Sequence, residues 1–157
     1  MSSQDTLGVL KDTQRELIAF HSGNQEYCVD IAHVREIRSW TPTTRLPHTP
    51  HFIKGVINLR GVVLPILDLG ARLGLAPSTP SARHVILVIA QGTRLFGLLV
   101  DAVSDIIEVS EATIQPTPDT ISDEIRACVK GLFPVHGRLI GHLAIDKILP
   151  DHVAMAA

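Results

Sequence analysis

The sequence predicts a mainly β protein: two small five-stranded β-barrels packed around a shared core, with a few short helices. Three observations lead there. Hydrophobic residues make up 45% of the 157 residues and aromatics only 4%, so the interior must be built from Val, Ile and Leu, which favour strands when they come in short runs. Those runs are separated by glycine-bearing turns at hairpin spacing. The two halves of the chain also echo each other, as a duplicated small module would.

Taken in order, residues 1–14 are polar and expected to fray. "ELIAFHSGNQEYCVDI" reads as two strands around a Ser22-Gly23-Asn24 turn. "DIAHVREI" begins with a capping Asp30 and places Ile31, Val34 and Ile37 on one face of one or two helical turns. Prolines 42, 47 and 50 break the next stretch into a loop with a short strand. "FIKGVINLRGVVLPILDL" is strand, turn at Arg60-Gly61, strand, and "DLGARLGL" is a short helix capped by Asp68 and stopped near Gly74. "APSTPSAR" (76–83) links the halves. "HVILVIAQGTRLFGLLVDAVSDIIEV" is a second hairpin around Gln91-Gly92, and "SEATIQPTPDTISDEIRAC" holds one or two short helical turns. "VKGLFPVHGRLIGHLAIDKIL" is a third hairpin turning near His136-Gly137, followed by a short helix; 151–157 are a tail.

The repeat is specific. "CVDIAHVREI" matches "LVDAVSDIIEV", and "KGVINLRGVVLPILDL" matches "KGLFPVHGRLIGHLAID", with offsets of 71 residues from Asp30 to Asp101 and 76 from Gly55 to Gly131. Each copy supplies about five short strands, enough for a small barrel but too few for an independent core. The copies should therefore pack together as one domain over residues 15–150, with barrels near 15–75 and 83–150.

Chemistry is sparse. A formal charge of −2 supplies no basic field for nucleic acid, although small barrels are often used for that purpose. The N-terminus has no apolar leader and no apolar run reaches the roughly 18 residues of a spanning helix, which predicts a cytoplasmic protein. Cys28 and Cys128 have no metal-like spacing and read as free buried thiols. The eight histidines form no HExxH or Cys/His cluster, and no nucleophile stands in an activating context. No cofactor and no catalytic residue is expected. Asp30, Asp68, Asp101 and Asp146 sit at strand-to-helix junctions, where capping accounts for them. Arg60 is different: a guanidinium at a hairpin tip among aliphatic strands needs an acceptor, and it reads either as an exposed turn arginine or as the partner of Glu36, the acid between Val34 and Ile37, holding the hairpin against the first helical turn.

At these residues the chain resembles the chemotaxis coupling proteins of the CheW family. The specific match is "FIKGVINLRGVVLPILDL"; it extends through "ELIAF", "EYCVDIAHVREI" and "RLPHTPHF" upstream, and "RLFGLLVDAVSDIIEV" and "VKGLFPVHGRLIGHLAIDKIL" downstream. The resemblance implies two Src-homology-3-like barrels, with room for strand exchange between them. It also implies a non-catalytic adaptor that couples the cytoplasmic tips of methyl-accepting chemoreceptors to the regulatory domain of the histidine kinase CheA, recruited to membrane-associated receptor arrays without inserting in the membrane. Carried over, a receptor groove would use Val34, Glu36, Gly55, Arg60, Gly61, Val85, Gly97 and Ile106, its glycines admitting a receptor helix closely. A kinase contact would use Ile37, Arg38, Thr44 and Leu46. Trp40 stands apart from the pattern. A nucleic-acid-binding barrel or another interaction module is the alternative.

Overall fold

The computed structural model describes residues 14–77 and 79–150; the expected N-terminal arm up to residue 13 and the 151–157 tail lie outside them. Ten strands form two five-stranded sheets. The first contains β1 (Gln14–Ser22), β2 (Gln25–Asp30), β8 (Ala102–Ser110), β9 (Val129–Val135) and β10 (Arg138–Leu143), in the order β8-β1-β2-β10-β9. The second contains β3 (Val34–Ser39), β4 (Ile53–Leu59), β5 (Val62–Asp68), β6 (Val85–Gln91) and β7 (Arg94–Val100), in the order β3-β6-β7-β5-β4. Short helices α1 (Leu69–Arg72), α2 (Asp123–Cys128) and α3 (Ile145–Ile148) complete the chain.

The sheets do not follow the two sequence halves. Each combines a hairpin from one half with three strands of the other: β1-β2 joins β8, β9 and β10, while β6-β7 joins β3, β4 and β5. The parallel contacts β2 with β10 and β5 with β7 knit these pieces together. The cause is the length of the connections. Only Ile31–His33 separates β2 from β3, and only Asp101 separates β7 from β8. Such links cannot carry the chain over two intervening strands to a free edge of the same sheet, but they can step to the sheet packed opposite, about 10 Å away.

Three apolar clusters result. The shared one lies between the sheets and includes Ile18, Phe20, Tyr27 and Val29 from one and Leu67, Leu87, Ile89 and Phe96 from the other. A second, within the first sheet, contains Leu17, Ala19, Cys28 and Phe133; a third, within the second sheet, contains Leu59, Leu64, Ile86 and Val88. Successive residues of β1 and β6 thus face two different apolar interiors, which is why these strands read as unbroken aliphatic runs instead of alternating.

The hairpin turns keep the repeat. Gly23 and Gly92 each open a two-residue turn at φ 63° and 61°, the single left-handed position of the II′ type. Arg60-Gly61 (φ 51° and 87°) and His136-Gly137 (φ 49° and 78°) are left-handed at both positions, as type I′ requires.

Three expectations are corrected. "DIAHVREI" is not helical: Asp30 caps a single 3-10 turn at Ile31–His33, accepting from Ala32 N at 3.4 Å, and β3 follows at once. The pairing partner β6, some fifty residues on, overrides the local helical pattern. Asp101 caps no helix; it accepts from Gly23 N at 2.9 Å and pairs with His84 at 3.4 Å, joining one sheet to a turn of the other. Asp146 sits inside the first turn of α3, whose cap position is Ala144. Asp68 does cap α1, accepting from Ala71 N at 3.5 Å, and also pairs with Lys54 at 3.7 Å.

Candidate functional site: an ion pair across the open end of the second sheet

The site begins with an irregularity in β3. Side chains alternate along a strand, so Val34 and Glu36 should share a face. Instead the ladder to β6 slips between them, with Val34 opposite Ile89 and Glu36 opposite Val88. The extra residue, Arg35, is a bulge. It turns Val34 onto the shared core while Glu36 faces the end of the second sheet, beside Val88.

Arg60 comes from the β4-β5 turn, where the Asn58 side chain accepts from Gly61 N at 2.9 Å and locks the reversal. Its Nη2 donates to Glu36 Oε2, the pair expected from the sequence. Arg38 Nη1 donates to the other carboxylate oxygen at 3.2 Å. These two guanidinium groups, Arg60 foremost, hold the Glu36 carboxyl below the usual carboxylate range. Beneath the pair is an open groove of about 370 Å³ whose floor is Leu59, Val88 and Leu95, with Arg35 at its rim.

The corresponding end of the first sheet is built differently. There Glu26, 8% exposed, accepts from Arg138 Nη1 at 2.7 and 2.8 Å and from Ser104 Oγ at 3.0 Å. A buried carboxylate fills that end, whereas an exposed ion pair over an apolar floor spans the other. The duplicated ends have diverged in polarity and access.

Among the positions named for a receptor groove, the structure brings Glu36, Arg60 and Gly61 together, with Val34 one bulge away. Val85 lies at the far end of the same ladder, opposite Ser39, and packs on the shared core. Ile106 is 58% exposed but belongs to β8 of the other sheet, opposite Ile18. Gly55 and Gly97 do not leave room for a partner helix. A Cβ on Gly55 would lie 2.5 Å from the Thr44 carbonyl oxygen, and one on Gly97 would lie 2.6 Å from Ile66 Cδ1. Their missing side chains are used by this chain's own packing; only Gly61 faces open space.

The positions named for a kinase contact are divided. Ile37 (49% exposed) and Arg38 lie on β3. Thr44 forms a two-bond bridge to Val56 of β4, and Leu46 lines a separate hollow with Arg45, His48 and His51. The apolar floor of Leu59, Val88 and Leu95 was not foreseen, nor was the second guanidinium on Glu36. Arg38 was findable, since two residues along a strand share a face.

Among the described residues no cluster of His, Cys, Asp or Glu could hold a metal ion, and no helix is long and apolar enough to cross a membrane. Cys28 and Cys128 are free and buried; burial, with Glu26 and Asp30 adding to it, pushes the Cys28 thiol to about 12.

Comparison with known proteins agrees with this architecture. Residues 16–153 match the model of the CheW-like domain. The chain is 53% identical over 143 residues to the chemotaxis protein CheW of Rhizobium meliloti (strain 1021), covering 91% of this chain and 92% of that one. It is 30% identical over 145 residues to the CheW of Bacillus subtilis (strain 168), covering 92% and 93%. The crystal structure of the scaffolding protein TtCheW from Thermoanaerobacter tengcongensis superposes with a TM-score of 0.80 at 29% identity, covering 91% of this chain and 98% of that one. The chain belongs to the CheW-like family and is a non-catalytic chemotaxis adaptor.

Proposed function

We propose that this adaptor couples chemoreceptor cytoplasmic tips to the regulatory domain of the kinase CheA, and that it is recruited in this way to membrane-associated receptor arrays. The observation that carries the reading is the Glu36–Arg60 pair spanning an apolar groove at the open end of the second sheet. An exposed, charge-rimmed apolar hollow is the surface on which an amphipathic helix lays its apolar face, and the Arg60 side chain, 69% exposed, remains able to donate to a partner. In this reading Glu36, Arg60 and Gly61 meet the receptor directly over the floor of Leu59, Val88 and Leu95; Val34 and Val85 act indirectly through the shared core, and Ile106 offers exposed apolar surface on the first sheet. Gly55 and Gly97 act at one remove, by letting the sheet close on Thr44 and Ile66. Ile37, Arg38, Thr44 and Leu46 are the proposed kinase contacts.

The experiment is a calorimetric titration against the regulatory domain of the organism's CheA, then against a receptor tip fragment. Binding to both is expected, each modest in affinity and reinforced by multivalency in an array. Binding to neither up to about 100 μM, where weak transient contacts still register, would mean that the fold serves different partners.

A further inference from the structure

Glu36 has two partners, and they differ in what they can do. Arg60 reaches it from the β4-β5 turn, and its side chain is 69% exposed. Arg38 reaches it along its own strand, Nη1 donating to Glu36 Oε1 at 3.2 Å, and its side chain is 35% exposed. The two guanidinium groups take different oxygens of the carboxylate, so either bond can break while the other holds.

The strand register makes Arg38 the fixed partner. Glu36 lies opposite Val88 and Arg38 opposite Ile86, both members of the apolar cluster of the second sheet. Residues two apart on a strand share a face, so beyond the Arg35 bulge Glu36 and Arg38 stand side by side at a spacing that the ladder to β6 sets. Arg60 is held differently, by a long exposed side chain at the tip of another hairpin. It is also the donor that the proposed receptor contact draws on. An Arg60 that turns to a partner's acceptor gives up its bond to Glu36. The carboxylate would then stand over the apolar floor of Leu59, Val88 and Leu95, where a charge needs a partner. Arg35 lines the rim, β6 and β7 bring only uncharged residues to the lining, and the bonds to the carboxylate come from Arg38 and Arg60.

We propose that Arg38 is a positioning residue for receptor binding, holding the Glu36 carboxylate in place over the groove while Arg60 turns to the receptor. This rests on the coupling reading above and gives Arg38 a role on the receptor side besides its proposed kinase contact. The electrostatics run the same way: the Arg60 bond lowers the Glu36 carboxyl first and the Arg38 bond second, so loss of Arg60 leaves one cation in place.

The test follows the Glu36 side-chain carboxyl by carbon-detected NMR across pH in the labelled full chain, with Glu36→Gln assigning the signal. In Arg60→Ala the carboxyl should still titrate below the usual carboxylate range, and in the Arg38→Gln/Arg60→Ala double variant it should return to that range. Arg38→Gln keeps most of the stem while removing the charge; alone it should weaken binding of a receptor tip fragment about threefold, and Arg38→Lys should restore most of that loss. The proposal is overturned if the double variant titrates like Arg60→Ala, if Arg38→Gln weakens binding to the kinase regulatory domain alone, or if Arg38→Lys does no better than Arg38→Gln. Should the wild-type chain not bind the receptor tip, the coupling reading falls, and the titrations still decide whether Arg38 holds the carboxylate.

Discussion

Glu36 carries the most consequence for its size. It is held by two guanidinium groups, yet the pair is solvent-accessible, so its value to the fold is small and its value lies in orientation. Arg60→Ala or Glu36→Ala is expected to keep the thermal midpoint within a few degrees of wild type while weakening receptor-tip binding by roughly tenfold, as loss of a charged anchor does. Cooperative unfolding at a much lower temperature would reassign the pair to the fold. His142 is the contrasting residue, being buried and held neutral down to about pH 4 against an ordinary value of 6.5. Its folded-state value is lowered, so between those pH values the unfolded chain takes up a proton that the folded chain refuses. The contribution of His142 to stability is full above pH 6.5 and declines as the pH falls towards 4, and His142→Phe, beside Phe133, should flatten that decline in urea melts compared across pH.

At the scale of elements, four glycines of similar appearance in the sequence have three different jobs. Gly61 supplies the second left-handed position of a turn in open space, and Gly61→Ala should cost about 1 kcal/mol of backbone strain with no clash. Gly97→Val would drive its Cβ into Ile66 and Ile86 and should cost more, about 1–3 kcal/mol by overpacking; chemical denaturation of the two variants side by side tests the order. Gly55 and Gly131 are the matched pair of the duplication: each has a backbone carbonyl where its Cβ would stand, Thr44 O at 2.5 Å and Gln115 O at 2.7 Å. Those carbonyls belong to the bridges Thr44↔Val56 and Gln115↔Leu132, which pin a passing loop to the edge strands β4 and β9. The Lys-Gly that opens each repeat is thus an edge-covering device. Trp40 has a similarly local explanation: its backbone N–H donates to His84 O at 3.0 Å, and its side chain packs against the apolar cluster of the second sheet.

For the whole molecule, exchange of hairpins between the halves makes the two sheets mutually dependent. A fragment ending in the 76–83 linker would hold β1 and β2 without β8, β9 or β10, and β3, β4 and β5 without β6 and β7. Neither sheet would exist in it. Fragments 1–77 and 79–157 expressed separately should therefore show no dispersed NMR spectrum, while mixing them should restore the native one. Independent folding of either fragment would contradict the topology. The same interlock places the shared core between the sheets, so neither sheet can slide without breaking it, and the open groove of the second sheet is presented by a rigid frame.

The sequence by itself determined the β class, most of the strand runs, the four tight turns and the duplication, because these follow from local terms, branched aliphatics in short runs and positive φ at Gly; capping was legible at Asp30 and Asp68 but not at Asp101 or Asp146. It also offered the Glu36–Arg60 pairing as one of two readings, the other being an exposed turn arginine, and the structure chose the pair. Which strands share a sheet was decided only in three dimensions, because connections as short as Ile31–His33 and Asp101 constrain reach but do not name a neighbour. The tertiary structure alone turned the helical turns expected over 30–37 into a single 3-10 turn and the edge strand β3, through pairing with a distant β6. It set the bulge at Arg35 that separates Val34 from Glu36, filled the spaces beside Gly55 and Gly97 with the chain's own atoms, and brought Leu59, Val88 and Leu95 together as a floor. A groove is a property of surfaces that meet only after packing, and no spacing along the chain encodes which apolar residue is left at its mouth.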